Sequence, residues 1–183
     1  MADATRIRRA RGEDVPRILE LANWAAVNTP ANFATEPETL EEWSRTFAAT
    51  EESHPWLVAT VGDGVAAFAK GSPHRPRGAY KWTAEVSVYV DVAMHGRRIG
   101  SALYARLIPT MRAQGFVTLL AGITTDNTAS ERLHEAAGFV RCGAYHRAGF
   151  KLGKWHDVGY WEMHLHDDAP PPPLRTVSSV WSD

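Results

Sequence analysis

Apolar positions change their period several times along this chain, and each change marks a new element. Ile18, Leu21, Ala22 and Ala25 recur at helical spacing, with Asp14 ahead of them as a cap and Pro16 as the second helical residue. A short strand over residues 5–11 precedes that helix and meets Gly12. Pro30 and Pro37 punctuate a loop, after which Leu40, Trp43 and Phe47 mark a second helix. Residues 56–61, the turn Gly62-Asp63-Gly64 and residues 65–69 read as a β-hairpin. Residues 72–78 are too rich in Pro and Gly for regular structure.

Residues 82–90 give the clearest strand: Val86, Val88 and Val90 point to one face, and Glu85, Ser87 and Tyr89 to the other. A helix over residues 101–114 carries Leu103, Leu107 and Met111 in one stripe. Pro109 lies inside it, removes the bond to the Ala105 carbonyl and predicts a kink. Residues 118–124 form another strand and residues 128–137 another helix. Gly138-Phe139 starts a return strand, and a last strand covers residues 158–165. From Asp167 onward, through Pro170 to Pro173, the chain reads as an extended tail. This alternation predicts an α/β (α+β) sandwich, with one domain over residues 1–166 and a Pro-rich tail over residues 167–183.

Composition narrows the function classes. With 44% hydrophobic and 22% charged residues in 183, a disordered chain is excluded. Twenty Lys and Arg against 21 Asp and Glu leave a net charge of −1, which demotes a nucleic-acid partner. A single cysteine, Cys142, closes no disulfide within the chain and supplies no thiolate zinc cage; it reads as a small buried hydrophobe. No apolar run predicts a transmembrane helix, and the start of the chain runs into Arg6, Arg8 and Arg9 without the apolar stretch of a signal peptide. A reduced, cytoplasmic domain without a membrane partner is expected. Arg6-Ile7-Arg8-Arg9 reads as a solvated edge strand. His164, His166, Asp167 and Asp168 invite a metal reading but lack a supporting cage, so no metal is expected.

The chemistry gathers in two places. The loop from Asp91 to Gly100, with His95-Gly96-Arg97-Arg98-Ile99-Gly100, joins a strand to a helix start. Converging backbone N–H groups, the helix dipole and two arginines suit a pyrophosphate. It is neither a Walker loop nor a Gly-x-Gly-x-x-Gly fingerprint. Further on, Asn127, Ser130 and His134 share one face at the start of a helix. Taken singly, Asn127 reads rather as a cap and His134 as a surface histidine; three polar groups on one face beside an anion site shift the balance.

The strand Val88-Tyr89-Val90, the loop from His95 to Gly100 and the run Asn127-x-x-Ser130-x-x-Leu133-His134-Glu135-x-x-Gly138-Phe139 resemble the acetyl-CoA motifs of the GNAT acetyltransferase superfamily. Asn32-Phe33-x-Thr35-Glu36-Pro37, Tyr80-x-Trp82-Thr83-Ala84-Glu85 and Ala148-Gly149-Phe150-Lys151-x-Gly153-x-Trp155-His156-Asp157-Val158-Gly159 narrow the resemblance to phosphinothricin N-acetyltransferases. It runs from about Thr5 to Leu165.

The resemblance implies a GNAT fold, a splayed mixed central sheet with helices on both faces. Val88, Tyr89 and Val90 would offer backbone groups to pantetheine. Amides of Gly96, Arg97, Arg98, Ile99, Gly100 and Ser101 would hold the pyrophosphate, with close backbone approach at Gly100; Asn127 and Ser130 would add contacts from the next helix. The family loop usually has glycine where this chain has Arg98, so Arg98 must adopt a backbone a side chain tolerates. Glu85 would be the base that draws the amine proton, although without the resemblance the plainer reading is an arginine partner that holds the strand. An N–H near Tyr89 or Val90 would stabilise negative charge on the acetyl oxygen, and His134 would protonate the departing thiolate. Arg75 and Arg77 would clamp the acceptor's anionic groups, within walls of Phe33, Tyr80 and Trp82. Phe33 and Trp82 read equally as core.

The implied activity is acetylation of phosphinothricin or a related amino acid, such as methionine sulfoximine or sulfone, by a homodimer. Another amine acceptor, such as a peptide N-terminus or an ordinary amino acid, or a non-catalytic acyl-CoA sensor, stays open beside it. The retained Glu85 and His134 speak against a sensor. The apolar Phe150, Leu152 and Trp155, set among glycines, motivate the dimer, although the same loop folded over its own cleft would bury them in a monomer.

Overall fold

The computed structural model describes residues 4–167 and 169–182. Asp168, one of the four residues in the metal reading, lies outside them, as do the first three residues. Among the described residues, no three His, Cys, Asp or Glu side chains gather into a metal-binding group. No helix among them is long and apolar enough to cross a membrane.

Seven strands form one mixed sheet among the described residues: β1 (Thr5–Arg9), β2 (Trp56–Val61), β3 (Gly64–Pro73), β4 (Thr83–Val90), β5 (Thr118–Thr124), β6 (Val140–Lys151) and β7 (Lys154–His164). Their order is β1-β2-β3-β4-β5-β7-β6. The β4–β5 pair is parallel and the others antiparallel. The crossover between β4 and β5 carries α3 (Ile99–Gln114), while α1 (Val15–Asn28) and α2 (Leu40–Thr50) lie between β1 and β2 in the chain.

Each face of the sheet has its own core. Leu103, Leu107 and Met111, the stripe read from the sequence, are fully buried against Leu57, Ala67 and Ala69. Burying each such side chain stabilises the fold by about 1.5–3 kcal/mol. On the other face, Ile18 and Ala22 of α1 and Trp43 and Phe47 of α2 pack on Trp56, Val58 and Phe68. The β4 alternation separates accordingly: Val86, Val88 and Val90 join the α3 side, and Tyr89 stacks on Phe68 at 5.0 Å on the α1–α2 side.

Several expected boundaries move. The first strand stops at Arg9, and Asp14 does not cap α1 with its side chain. Its carboxylate instead takes both Arg8 guanidinium nitrogens, at 2.7 and 2.8 Å, and the Arg11 N–H. Burial opposes the Asp14 charge, but these donors outweigh it and hold its pKa below the usual range. β3 continues through Pro73 into the stretch read as irregular, because Ser72 and Pro73 pair with Glu85 and Ala84. α3 starts two residues early and runs unbroken through Pro109.

The loop expected around residues 148–155 is instead the tip of a long β6–β7 hairpin that turns at Leu152-Gly153. Cys142 is exposed on β6, the sheet's edge strand, and not a buried hydrophobe. The segment read as an extended tail includes a helical turn, α5 (Val177–Val180), with Val177 fully buried. Gln114 Nε2 donates to the Arg175 carbonyl, and Glu52 accepts the Val177 N–H through its carbonyl and the Ser178 N–H through its carboxylate. The cues for this docking lie more than 50 residues away in sequence, where a local reading does not reach.

Candidate active site

The central parallel pair is incomplete. β4 has eight residues and β5 seven, yet they pair at three positions alone, Thr83 with Thr118, Ala84 with Leu119 and Glu85 with Leu120. Beyond Glu85 the strands part. The β4 edge from Val86 to Val90 therefore faces a cleft with backbone groups free to pair with a bound chain, the need that pantetheine amides create.

At the wide end of the cleft the loop turns sharply into α3. Gly96 has φ +77°, and Arg98 has φ +59° and ψ +20°, a left-handed conformation that glycine usually supplies. Arg98 thus departs from the expected side-chain-tolerant backbone and sits left-handed, at a cost of about 1 kcal/mol. His95 Nε2 donates to the Val90 carbonyl at 3.1 Å, tying the loop to the end of β4. Arg97 and Arg98 are exposed beside the helix start, where an anion is favoured. At Gly100 an added Cβ would lie 3.0 Å from Leu133 Cδ2 and 3.8 Å from Val88 Cγ2. Gly100 lets α3 approach the helix α4 (Thr128–Ala136), and its missing side chain does not face open space.

Asn127 caps α4, its Oδ1 accepting the Ser130 N–H at 3.2 Å. His134 is 3% exposed and packs edge-on to Tyr104 and Phe139. Its Nδ1 donates to the Ser130 carbonyl at 2.8 Å, which leaves Nε2 to accept from the Tyr104 hydroxyl at 2.8 Å. Burial lowers the His134 pKa despite the Ser130 bond and raises that of Tyr104. Tyr104 also lines a groove of about 300 Å³ between α3 and α4, with Ser101, Ile108 and Leu133.

On the opposite face, Glu85 stands where the strands begin to part, with its side chain 49% exposed and Oε1 2.7 Å from His74 Nδ1. The His74 ring meets Tyr80 edge-on at 5.4 Å, and the Arg75 guanidinium lies 5.7 Å from the Tyr80 ring centre. Arg77 is exposed; its carbonyl accepts the Tyr80 N–H at 2.9 Å and so helps fix the turn Gly78–Tyr80. Tyr160 of β7 closes this side, and burial, then the neighbouring Tyr145 and Glu85, raise its pKa. The far wall is the loop between α1 and α2. Phe33 lies over Gly149 and 6.3 Å from His156, while buried Lys151 donates to the Asn32 carbonyl. Tyr89 is bonded to Asn32, and burial above all pushes its pKa to about 12.

The model of the acetyltransferase (GNAT) domain matches residues 7–159. This chain belongs to the GNAT acetyltransferase family. It is 40% identical over 174 residues to phosphinothricin N-acetyltransferase of Streptomyces viridochromogenes, covering 95% of each protein. It is 35% identical over 161 residues to the L-methionine sulfoximine/L-methionine sulfone acetyltransferase of Pseudomonas paraeruginosa, covering 87% of this chain and 94% of the relative. Among solved structures, a GNAT superfamily phosphinothricin acetyltransferase from Sinorhizobium meliloti in complex with acetyl-CoA superposes with a TM-score of 0.86 at 30% identity, over 93% of each chain.

Of the residues singled out from sequence, Glu85, Arg75 and Tyr80 come together, and Phe33 faces the same side from the opposite wall. Trp82 stands apart, since its Nε1 donates to the Pro172 carbonyl at 2.8 Å and Lys81 lies 4.1 Å from its ring centre. Sequence reasoning missed His74, Tyr104 and Tyr160. It assigned no role to His156 or Asp157. His156 Nε2 donates to the Lys151 carbonyl at 3.0 Å, and Asp157 accepts the Arg147 N–H at 2.8 Å, holding the bulged β6 strand in register. The polar pair His156-Asp157 beside a Gly-rich hairpin was the available signal, but the partners become visible only once the hairpin closes.

Proposed function

We propose that this protein transfers the acetyl group of acetyl-CoA to the α-amino group of phosphinothricin or a closely related small amino acid, such as methionine sulfoximine or methionine sulfone. The observation that carries the reading is the parting of β4 from β5 immediately beyond Glu85, which sets a carboxylate at the start of a cleft edged by free backbone groups. The names and high coverage of the relatives support the substrate class. Acetyl-CoA supplies the activated acetyl. Backbone groups of Val88, Tyr89 and Val90 hold its pantetheine arm, the amides of residues 96–101 hold its pyrophosphate, and Asn127 and Ser130 border it from α4.

Glu85 takes the proton of the acceptor ammonium, because only a neutral amine has the lone pair that attacks. The N–C bond then forms, the nitrogen loses its second proton, the C–S bond breaks and the thiolate gains a proton, so each turnover releases one net proton to solvent through Glu85. His134 acts in that last step through Tyr104: a protonated ring donates from both nitrogens and frees the phenol to donate toward the groove it lines. The lowered His134 pKa favours release of that proton once it is taken up. Arg75 and Arg77 attract the acceptor's carboxylate and second anionic group, and Phe33 and Tyr80 wall its side chain.

The same reading includes a homodimer in a reduced, cytoplasmic setting, consistent with a single cysteine. Phe150 and Leu152 are each 58% exposed and Trp155 51%, so these three side chains are left uncovered by their own chain. A second copy covering that patch removes the apolar surface from water. The experiment that tests the function is a thiol-release screen of amines with acetyl-CoA. Phosphinothricin, methionine sulfoximine or methionine sulfone should give the highest kcat/KM. Preference for a peptide N-terminus or for an ordinary amino acid would replace this reading, and no turnover with any amine would favour the sensor.

A further inference from the structure

We propose that His74 is a positioning residue for acetyl transfer, holding the Glu85 carboxylate in the orientation from which it takes the amine proton. The proposal rests on the reading of Glu85 as the base. Glu85 is half exposed at the start of the cleft, so nothing in its own burial fixes one rotamer. His74, with its side chain 16% exposed, supplies the constraint: Nδ1 lies 2.7 Å from Oε1. An ionised carboxylate only accepts hydrogen bonds, so Nδ1 carries the proton and Oε1 is the engaged oxygen. Oε2 is left to receive the proton from the substrate nitrogen.

The imidazole is itself held. Pro73 pairs with Ala84 and Ser72 with Glu85, so His74 sits one residue beyond the last fixed pair of β3 and β4. Its ring rests edge-on against Tyr80, which in turn meets the Arg75 guanidinium. The charged or titratable groups around the pair are Arg75 from the same segment, Tyr80 from the turn before β4, and Tyr160 from β7, which feels the charges of both Glu85 and Arg75. A cation and two phenols leave Glu85 the one anion of the group, with its direction set by His74.

The test is a double-mutant cycle on the full chain, read by steady-state kinetics with phosphinothricin, with folding checked by thermal unfolding. His74→Leu should lower kcat about tenfold or more, the size of effect that a misplaced catalytic group causes, with less than a threefold change in the KM of either substrate. His74→Asn, whose side-chain nitrogen falls near the position of Nδ1, should recover most of that loss. In a Glu85→Gln background, His74→Leu should cost no further activity, because a residue acting through Glu85 has nothing left to position. A parent-like kcat in His74→Leu overturns the proposal while leaving Glu85 as the base. An equal loss in both backgrounds, or no rescue by Asn, overturns it in favour of a structural role. Full activity in Glu85→Gln overturns the base reading and the proposal with it.

Discussion

Replacing Gly149 by alanine tests whether the loop between α1 and α2 forms a wall of the acceptor site. A Cβ at Gly149 would lie 2.5, 2.8 and 2.9 Å from three atoms of the Phe33 ring. Ordinary carbon contacts begin near 3.5 Å, so the ring must retreat by about 1 Å. Gly149 is held by its strand pairing with His156, whereas Phe33 is a 39% exposed side chain on a loop. The ring therefore moves and the backbone stays. Losing part of the Phe33 packing should cost about 1 kcal/mol, a fall in Tm of about 2–4 °C for a chain of this size. If the ring contacts the acceptor, a similar loss of binding raises the KM of phosphinothricin about five- to tenfold. The KM of acetyl-CoA, proposed to bind along β4 and not at Phe33, should change less than twofold. Steady-state kinetics with each substrate varied in turn, together with a melting curve, read all three quantities. A lowered Tm with an unchanged acceptor KM would refute Phe33 as a wall, and an equal rise in both KM values would show that the hairpin, not the ring, had been disturbed.

Asp14→Asn should destabilise the fold by about 2 kcal/mol, because the Arg8 guanidinium loses a charged, bidentate partner. Since folding lowers the Asp14 pKa, its stabilisation is present above the ordinary aspartate range and fades as pH falls through the lowered value; urea unfolding at neutral and acidic pH should show the variant's deficit shrinking with acid. Trp155→Glu should give folded, less active monomers in sedimentation at micromolar concentration, whereas a parent already running at 20.2 kDa with full activity would remove the dimer. Gly100→Val should drive α3 away from Leu133 and lower thermal stability together with acetyl-CoA affinity; calorimetry showing lost affinity at parental stability would return Gly100 to a purely cofactor-facing role.

Much of the framework is legible in the chain because it depends on local periodicity. The stripe Leu103, Leu107, Met111, the alternation along β4 and the bounds of β5 follow from spacing alone, since helices and pleated strands repeat over a few residues. The likeness to the family loop likewise marked His95 to Gly100, but Arg98, expected in a backbone that side chains readily tolerate, instead takes a left-handed φ of +59°. The point at which β4 and β5 part, the pairing of His74 with Glu85, the engagement of both His134 nitrogens and the docking of the tail on Trp82, Gln114 and Glu52 were decided only by tertiary structure. Sequence spacing says which side chains share a face of one element. It does not say which polar groups meet across elements, because those partners are chosen when the packed sheet and helices leave each buried donor and acceptor few places to go.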